Sequence, residues 1–399
     1  MNILVIGNGF DIAHNLPTNY RDFMEFIIRI EYTMKWHDEW NKFKDIYMKE
    51  YNAEEYIKDY IKKVFDERIV STSENSTNSN PLIQEMYDSL TNNVWFEYLK
   101  NIYQEKKIRG INWIDFESEI SYVIENLDRH QSNIYMPIDF PEIFEDYKTR
   151  EFMAIYHKNN NITKMDSINK GYRQTYKDLI DNTYKDLRRF VRCMEIYFLE
   201  CVERVDVHIE SQDIKSIIID KVLSFNYTHI YEKVYGISKK QDIHYIHGET
   251  TQEVNIENNM VLGIDEYRDN YERSLHTNYN IYKKFTQRVI NETGFKHREW
   301  IKSMKQNYYM MKKYPTMDGI EINIVYIFGH SLDITDKEIL KDLIDLDGVK
   351  TIVFYHDKQQ QTQQIANLVK MLGQEKFLEK INSVPPTIEF REQQSMTNK

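Results

Sequence analysis

A short apolar run, Ile3, Leu4, Val5 and Ile6, opens the chain and leads straight into Gly7-Asn8-Gly9-Phe10-Asp11. Runs of the same kind return only late, at 221–225 (KVLSF), 243–246 (IHYI), 260–264 (MVLGI), 322–328 (INIVYIF) and 351–355 (TIVFY). Continuous, β-branched runs of this length are what a parallel sheet buried on both faces requires. Between the first two runs lie about two hundred residues with helical spacing and almost no strand pattern. Examples are YRDFMEFIIRIEYTMKWHDEWNKF (20–43), WIDFESEISYVIENL (113–127) and YKDLRRFVRCMEIYFLECVERV (184–205). The arrangement predicts an α/β fold: an open parallel Rossmann-like sheet with a large helical insertion after the first strand. Residues 1–20 would supply the first strand and glycine turn, 21–215 the insertion, and 216–399 the rest of the sheet. The polar run STSENSTNSN (71–80) reads as a surface loop within the insertion.

In such sheets ligands bind beyond the carboxyl ends of the strands, so the residues just after each strand are the first place to look. Gly7 and Gly9 allow a sharp turn and close backbone approach to a phosphate or ribose. Asp11 caps the next helix or accepts from a ribose hydroxyl. Asn226 follows the second run and offers both donor and acceptor, or an Asx turn. His247, beside Gly248, has the chemistry of a general base at neutral pH, or of a structural histidine. Gly329-His330-Ser331 follows the fifth run, and Asp333 and Asp336 are read by default as caps of the helix that begins there. The acids of Trp113-Ile114-Asp115-Phe116-Glu117 sit at a helix start and are expected to face solvent. Lys283, Lys284 and Arg288 could meet phosphates, but read first as a solvated basic face.

Composition narrows the function. Of 399 residues, 41% are hydrophobic and 29% charged, a globular balance, and 30 Tyr against 12 Gly and 7 Pro favour long helices. A net charge of −11 argues against general affinity for nucleic acid backbones. The two cysteines, Cys193 and Cys201, fit neither a zinc knuckle nor a redox pair and read as apolar fillers of a helix. No metal is expected, because no second His or Cys stands at ligand spacing near His247. No stretch has the roughly 18 apolar residues of a membrane span, and the N-terminus lacks the features of a signal peptide, so a cytoplasmic protein is expected.

Taken in order, Gly7-Asn8-Gly9, Asn226, His247-Gly248 and Gly329-His330-Ser331-Leu332 resemble the nucleotide-binding framework of sirtuins and sirtuin-like defence proteins. Asp11, Thr228 and His330 depart from that pattern, and the absence of zinc-ribbon cysteines argues against a protein deacylase. A second resemblance covers nearly the whole chain. GNGFDIAHNLPTNYRDF, WIDFE, LSFNYT, IHG, LGID and FGHSLDITD resemble the AbiH family of phage abortive-infection proteins.

The AbiH resemblance implies antiviral defence, set off by an unknown phage-derived trigger. The sirtuin-like one implies NAD as substrate or ligand, and hydrolysis of its nicotinamide–ribose bond. In that reading Gly7, Asn8, Gly9, Phe10 and Asp11, with Gly329, His330 and Ser331, bind the dinucleotide. Asn226 orients the ribose or the attacking water, and His247 is the base. Asp115 and Glu117 then become secondary site candidates on a helical lid. Asp333 and Asp336 join them at the same rank. The rival reading is a non-catalytic nucleotide-sensing module acting through homo-oligomerisation or a partner. A third is a metal-dependent nuclease using Asp333, Asp336 and other acids.

Overall fold

A computed structural model describes residues 1–35, 58, 81–111, 113–131, 141–162, 176–236, 241–251, 258–264, 277–314 and 322–399. The 71–80 run and the end of the 20–43 segment lie outside the described residues. Six strands form one parallel sheet: β1 (Asn2–Ile6), β3 (Lys221–Ser224), β4 (Asp242–Tyr245), β5 (Asn323–Phe328), β6 (Val349–Tyr355) and β7 (Ile388–Glu392). Their spatial order is β4-β3-β1-β5-β6-β7. Counted in chain order, that is 3-2-1-4-5-6, the order of doubly wound dinucleotide-binding sheets. β1 pairs with β3 on one side (Val5 opposite Leu223) and with β5 on the other (Val5 opposite Ile327). The N-terminal strand is therefore central, and the strand order reverses beside it. Two short strands, β2 (Ile209–Glu210) and β8 (Thr397–Asn398), pair antiparallel elsewhere.

Alternation along each strand feeds two cores. Ile3 and Val5, with Val325, Ile327 and Val353, pack against Trp300, Met304, Leu340, Leu343 and Leu368 of the helices that follow β4, β5 and β6. Leu4 and Ile6, with Tyr326 and Phe328, pack instead into the core of the insertion. Fully burying each such side chain contributes about 1.5–3 kcal/mol. In the insertion the helix Tyr20–Lys35 buries Phe23, Met24, Phe26, Ile27 and Ile30, a stripe at three- and four-residue spacing. Asn93 caps the helix Val94–Ile108 by accepting from the Phe96 amide at 3.0 Å. The helix Tyr176–Tyr197 runs on into a π turn, Phe198–Val202, where Phe198 stacks on Tyr227 with ring centroids 5.8 Å apart. Cys193 and Cys201 are both buried in this stretch.

Two strand expectations need correction. Residues 260–264 are as buried as a strand but do not join the sheet. Their backbone is satisfied otherwise: the Gln287 carboxamide accepts from the Leu262 amide (3.1 Å) and donates to its carbonyl (3.0 Å), and the Val261 amide donates to the His247 carbonyl. The sixth strand is β7, whose sequence Ile-Glu-Phe-Arg-Glu alternates as a half-exposed edge does and carries no apolar run.

Candidate functional site

The carboxyl ends of β1, β3, β4, β5 and β6 open into one cavity of about 890 Å³. The insertion walls its other side with Tyr20, Arg21, Trp113, Asp115 and Glu117. Its floor is made where the turns after β1 and β5 touch, backbone against backbone. Gly329 has a φ of +68°, and a Cβ there would lie 2.0 Å from the Phe10 nitrogen; one on Gly9 would lie 2.8 Å from the Gly329 carbonyl oxygen. Both glycines are thus demanded by this contact at the point of strand-order reversal. The amides are engaged as well: Gly9 donates to the Gly329 carbonyl (2.8 Å), Phe10 to Gly7 (2.8 Å) and Gly7 to Phe328 (3.4 Å). Asn8 and Asp11 of this turn also line the cavity.

Asp11 is buried. It accepts from the Asn226 carboxamide at 3.0 Å and from the Thr228 hydroxyl at 2.6 Å. Burial pushes its pKa up to about 7 against the pull of those two donors. The same Asn226 nitrogen donates to the Gly7 carbonyl at 3.1 Å, tying the end of β3 to the glycine turn.

The second constellation is ionic. Lys284 bonds Glu117 at 2.8 Å and Asp336 at 3.3 Å, and only 4% of its side chain is exposed. Asp336 is also bonded by His247 Nε2 at 3.0 Å and lies 3.5 Å from His330 Nε2. The Leu332 amide donates to His330 Nδ1 at 2.9 Å, so the His330 proton sits on Nε2, facing Asp336. Burial opposes every charge here, but the outcomes diverge. Glu117 is pushed up to about 7 by burial, with Lys284 limiting the rise. Asp336, though buried, is held well below the usual carboxylate range by Lys284 and by its histidine donors. The Asp336 and Glu117 carboxylates outweigh burial and hold Lys284 above its ordinary value. Burial drives His247 down to about 4, so it is neutral, with its Nδ1 unpaired among the described residues.

Gly7, Asn8, Gly9, Asp11, Asn226, His247, Gly329, His330, Ser331, Asp115, Glu117, Asp333 and Asp336 all line this one cavity. Phe10 does not: its ring packs among His14, Tyr231, Tyr235 and Phe328. The acids separate by role. Asp115 accepts from the Ser118 amide (3.1 Å) and hydroxyl (2.7 Å), and Asp333 accepts from the Thr335 amide (3.1 Å), so both cap. Asp333→Ala should cost about 1 kcal/mol in denaturant unfolding. Asp336 makes no capping bond although it starts the helix Lys337–Ile344. Glu117, a secondary candidate in the sequence, is partly buried and paired with Lys284, which is buried although its spacing reads as a solvated basic face. Glu117 sits on the helix Phe116–Gln131, whose apolar face packs in the core, and this brings it over the sheet. Among the described residues, no group of three or more His, Cys, Asp or Glu side chains is placed to hold a metal ion, and no helix is long and apolar enough to cross a membrane.

Fold and site together define a class: an α/β protein with a doubly wound parallel sheet, a helical insertion, and a polar cavity over the switch point. The family model described as bacteriophage abortive infection AbiH matches residues 3–356, and the chain belongs to that family. No curated protein and no solved structure matches it.

Proposed function

We propose that the cavity binds a nucleotide and hydrolyses the N-glycosidic bond of its ribose, with NAD as the substrate. The observation that carries this reading is the pair of carboxyls on one ammonium group, Glu117 raised to about 7 and Asp336 held anionic. Two acids pushed apart by their surroundings are the usual equipment of glycosidic hydrolysis. The volume falls within the range of small-molecule sites. The strand order supports a nucleotide.

In the reaction the C1′–N bond breaks and its electron pair returns to the pyridinium ring, giving neutral nicotinamide. Positive charge develops on the ribose, opposite the Asp336 anion. Water forms the new C1′–O bond and gives its proton to ionised Glu117. Fixed charges and positioning carry most of the acceleration. His247, neutral, accepts from a ribose hydroxyl through Nδ1 and leaves the base role to Glu117. Loss of NAD would halt an infected cell, which links the chemistry to abortive infection. A phage-derived trigger and self-association belong to the same proposal.

Purified protein incubated with NAD, ATP and nucleic acids, with extract of phage-infected cells added and the extract alone as control, should yield nicotinamide and ADP-ribose in equal amounts by mass spectrometry, and no other product. Nucleotide binding without any product would favour the sensing module instead.

A further inference from the structure

The cavity extends past the ionic cluster to the end of β6. There the helix Lys358–Leu372 contributes Gln359, Gln360, Gln363 and Gln364 to its lining. Beside His356 and Asp357, this wall carries four carboxamides, whereas the ionic cluster lies at the other end of the cavity. Gln364 is fully buried, and its Nε2 donates to the carbonyls of His330 (3.2 Å) and Phe354 (3.2 Å). Two carbonyl acceptors fix the orientation of that amide, since a flip would set oxygen against oxygen. Its Oε1 is left buried with no partner among the described residues. An unmatched buried acceptor is costly, and a ligand N–H donor would offset that cost.

Its neighbours are placed to help. Gln359 and Gln363 are four residues apart on one helix face, and both are exposed. Gln363 donates to Asn367 at 3.1 Å, which leaves its own oxygen as an acceptor. Gln360 is committed otherwise, accepting from the His356 amide and ring at 2.7 Å each. Five neighbouring strands, each roughly 4.8 Å from the next, carry the cavity from His247 to this wall. A two-part ligand can therefore occupy both regions.

We infer that this carboxamide wall is a second, base-recognising subsite. It takes a planar base with an exocyclic amino group, of the adenine type, which donates to Gln364 Oε1 while Gln359 and Gln363 hydrogen-bond its edge. The inference rests on the nucleotide reading above but not on the hydrolytic step. Its consequence is selectivity: a 6-oxo base in the same place would set its own oxygen against Gln364 Oε1.

The test is calorimetric binding of ADP-ribose and of its hypoxanthine counterpart to the full-length protein, with NAD hydrolysis followed in parallel. Wild type should bind the adenine ligand about tenfold more tightly. The exposed double variant Gln359→Ala/Gln363→Ala should lose several-fold of that affinity, with an unchanged melting temperature. Equal binding of the two ligands would overturn the subsite, whether or not NAD is hydrolysed. Selective binding without hydrolysis would sustain the subsite and defeat the hydrolase. No binding of either ligand would overturn both.

Discussion

Lys284→Met should lower the unfolding free energy by about 3–5 kcal/mol, the usual consequence of removing one partner from a buried ionic group. The variant leaves the Glu117 and Asp336 carboxyls together without the cation that both now bond. Glu117 answers by holding its proton more strongly, because Lys284 is what limits its upward shift. The sign of the pH dependence follows. Unfolded, Glu117 loses its proton near 4.5; folded, it keeps it to about 7. The folded state is the one that binds the extra proton in that window, so this residue's contribution to stability falls as pH rises through it. Without Lys284 the window extends upward, and the deficit should be larger at pH 8 than at pH 5. Urea unfolding of both proteins at the two pH values measures this. An equal deficit at both would show that Glu117 does not share the lysine's charge.

Glu117→Gln should lower NAD turnover roughly 10²–10⁴-fold, as expected on losing a general base. It should leave the melting temperature nearly unchanged, because the amide oxygen can still accept from Lys284. In the wild type the rate should rise with pH through about 7 as Glu117 ionises, and this limb should be missing from the residual activity of the variant. A wild-type limb near pH 4 instead would return the base role to His247.

Five of the six sheet strands were legible because each is a largely apolar run between polar stretches, and their common direction places every following motif on one edge. That is why Gly9, Asn226, His247 and Ser331, drawn from distant parts of the chain, line one cavity. Residues 260–264 misled for a physical reason. The run reports burial, and burial does not reveal that the Gln287 side chain, rather than a neighbouring strand, satisfies the backbone of Leu262. β7 was hidden by the converse, an edge strand that needs no apolar run.

The ionic cluster was the least legible part. Glu117 opens a helix, where acids ordinarily complement the dipole, and Lys284 opens another, beside Lys283 and near Arg288. Only the packing of the insertion onto the sheet turns both inward, and no local spacing encodes that meeting. Asp336 shows the same limit: as a helix-start acid it reads as a cap, yet its bonds go to His247, Lys284 and His330. The glycine turn was recognised as special, and the structure adds a packing reason for its glycines, since Gly9 and Gly329 meet backbone against backbone. The Gly7 and Gly9 amides donate to the Phe328 and Gly329 carbonyls and so hold the turn against the end of β5.

The central claim is that water cleaves the nicotinamide–ribose bond at the Glu117–Asp336 pair. NAD incubated with the protein in ¹⁸O-labelled water, with Glu117→Gln and heat-denatured protein alongside, tests it most directly. Mass spectrometry should find unlabelled nicotinamide and ADP-ribose carrying one heavy oxygen on its ribose from the wild type. The Glu117→Gln sample should give under about a hundredth of that amount. Intact NAD after prolonged incubation with folded wild type and phage-infected cell extract, or equal product from the variant, would contradict the account.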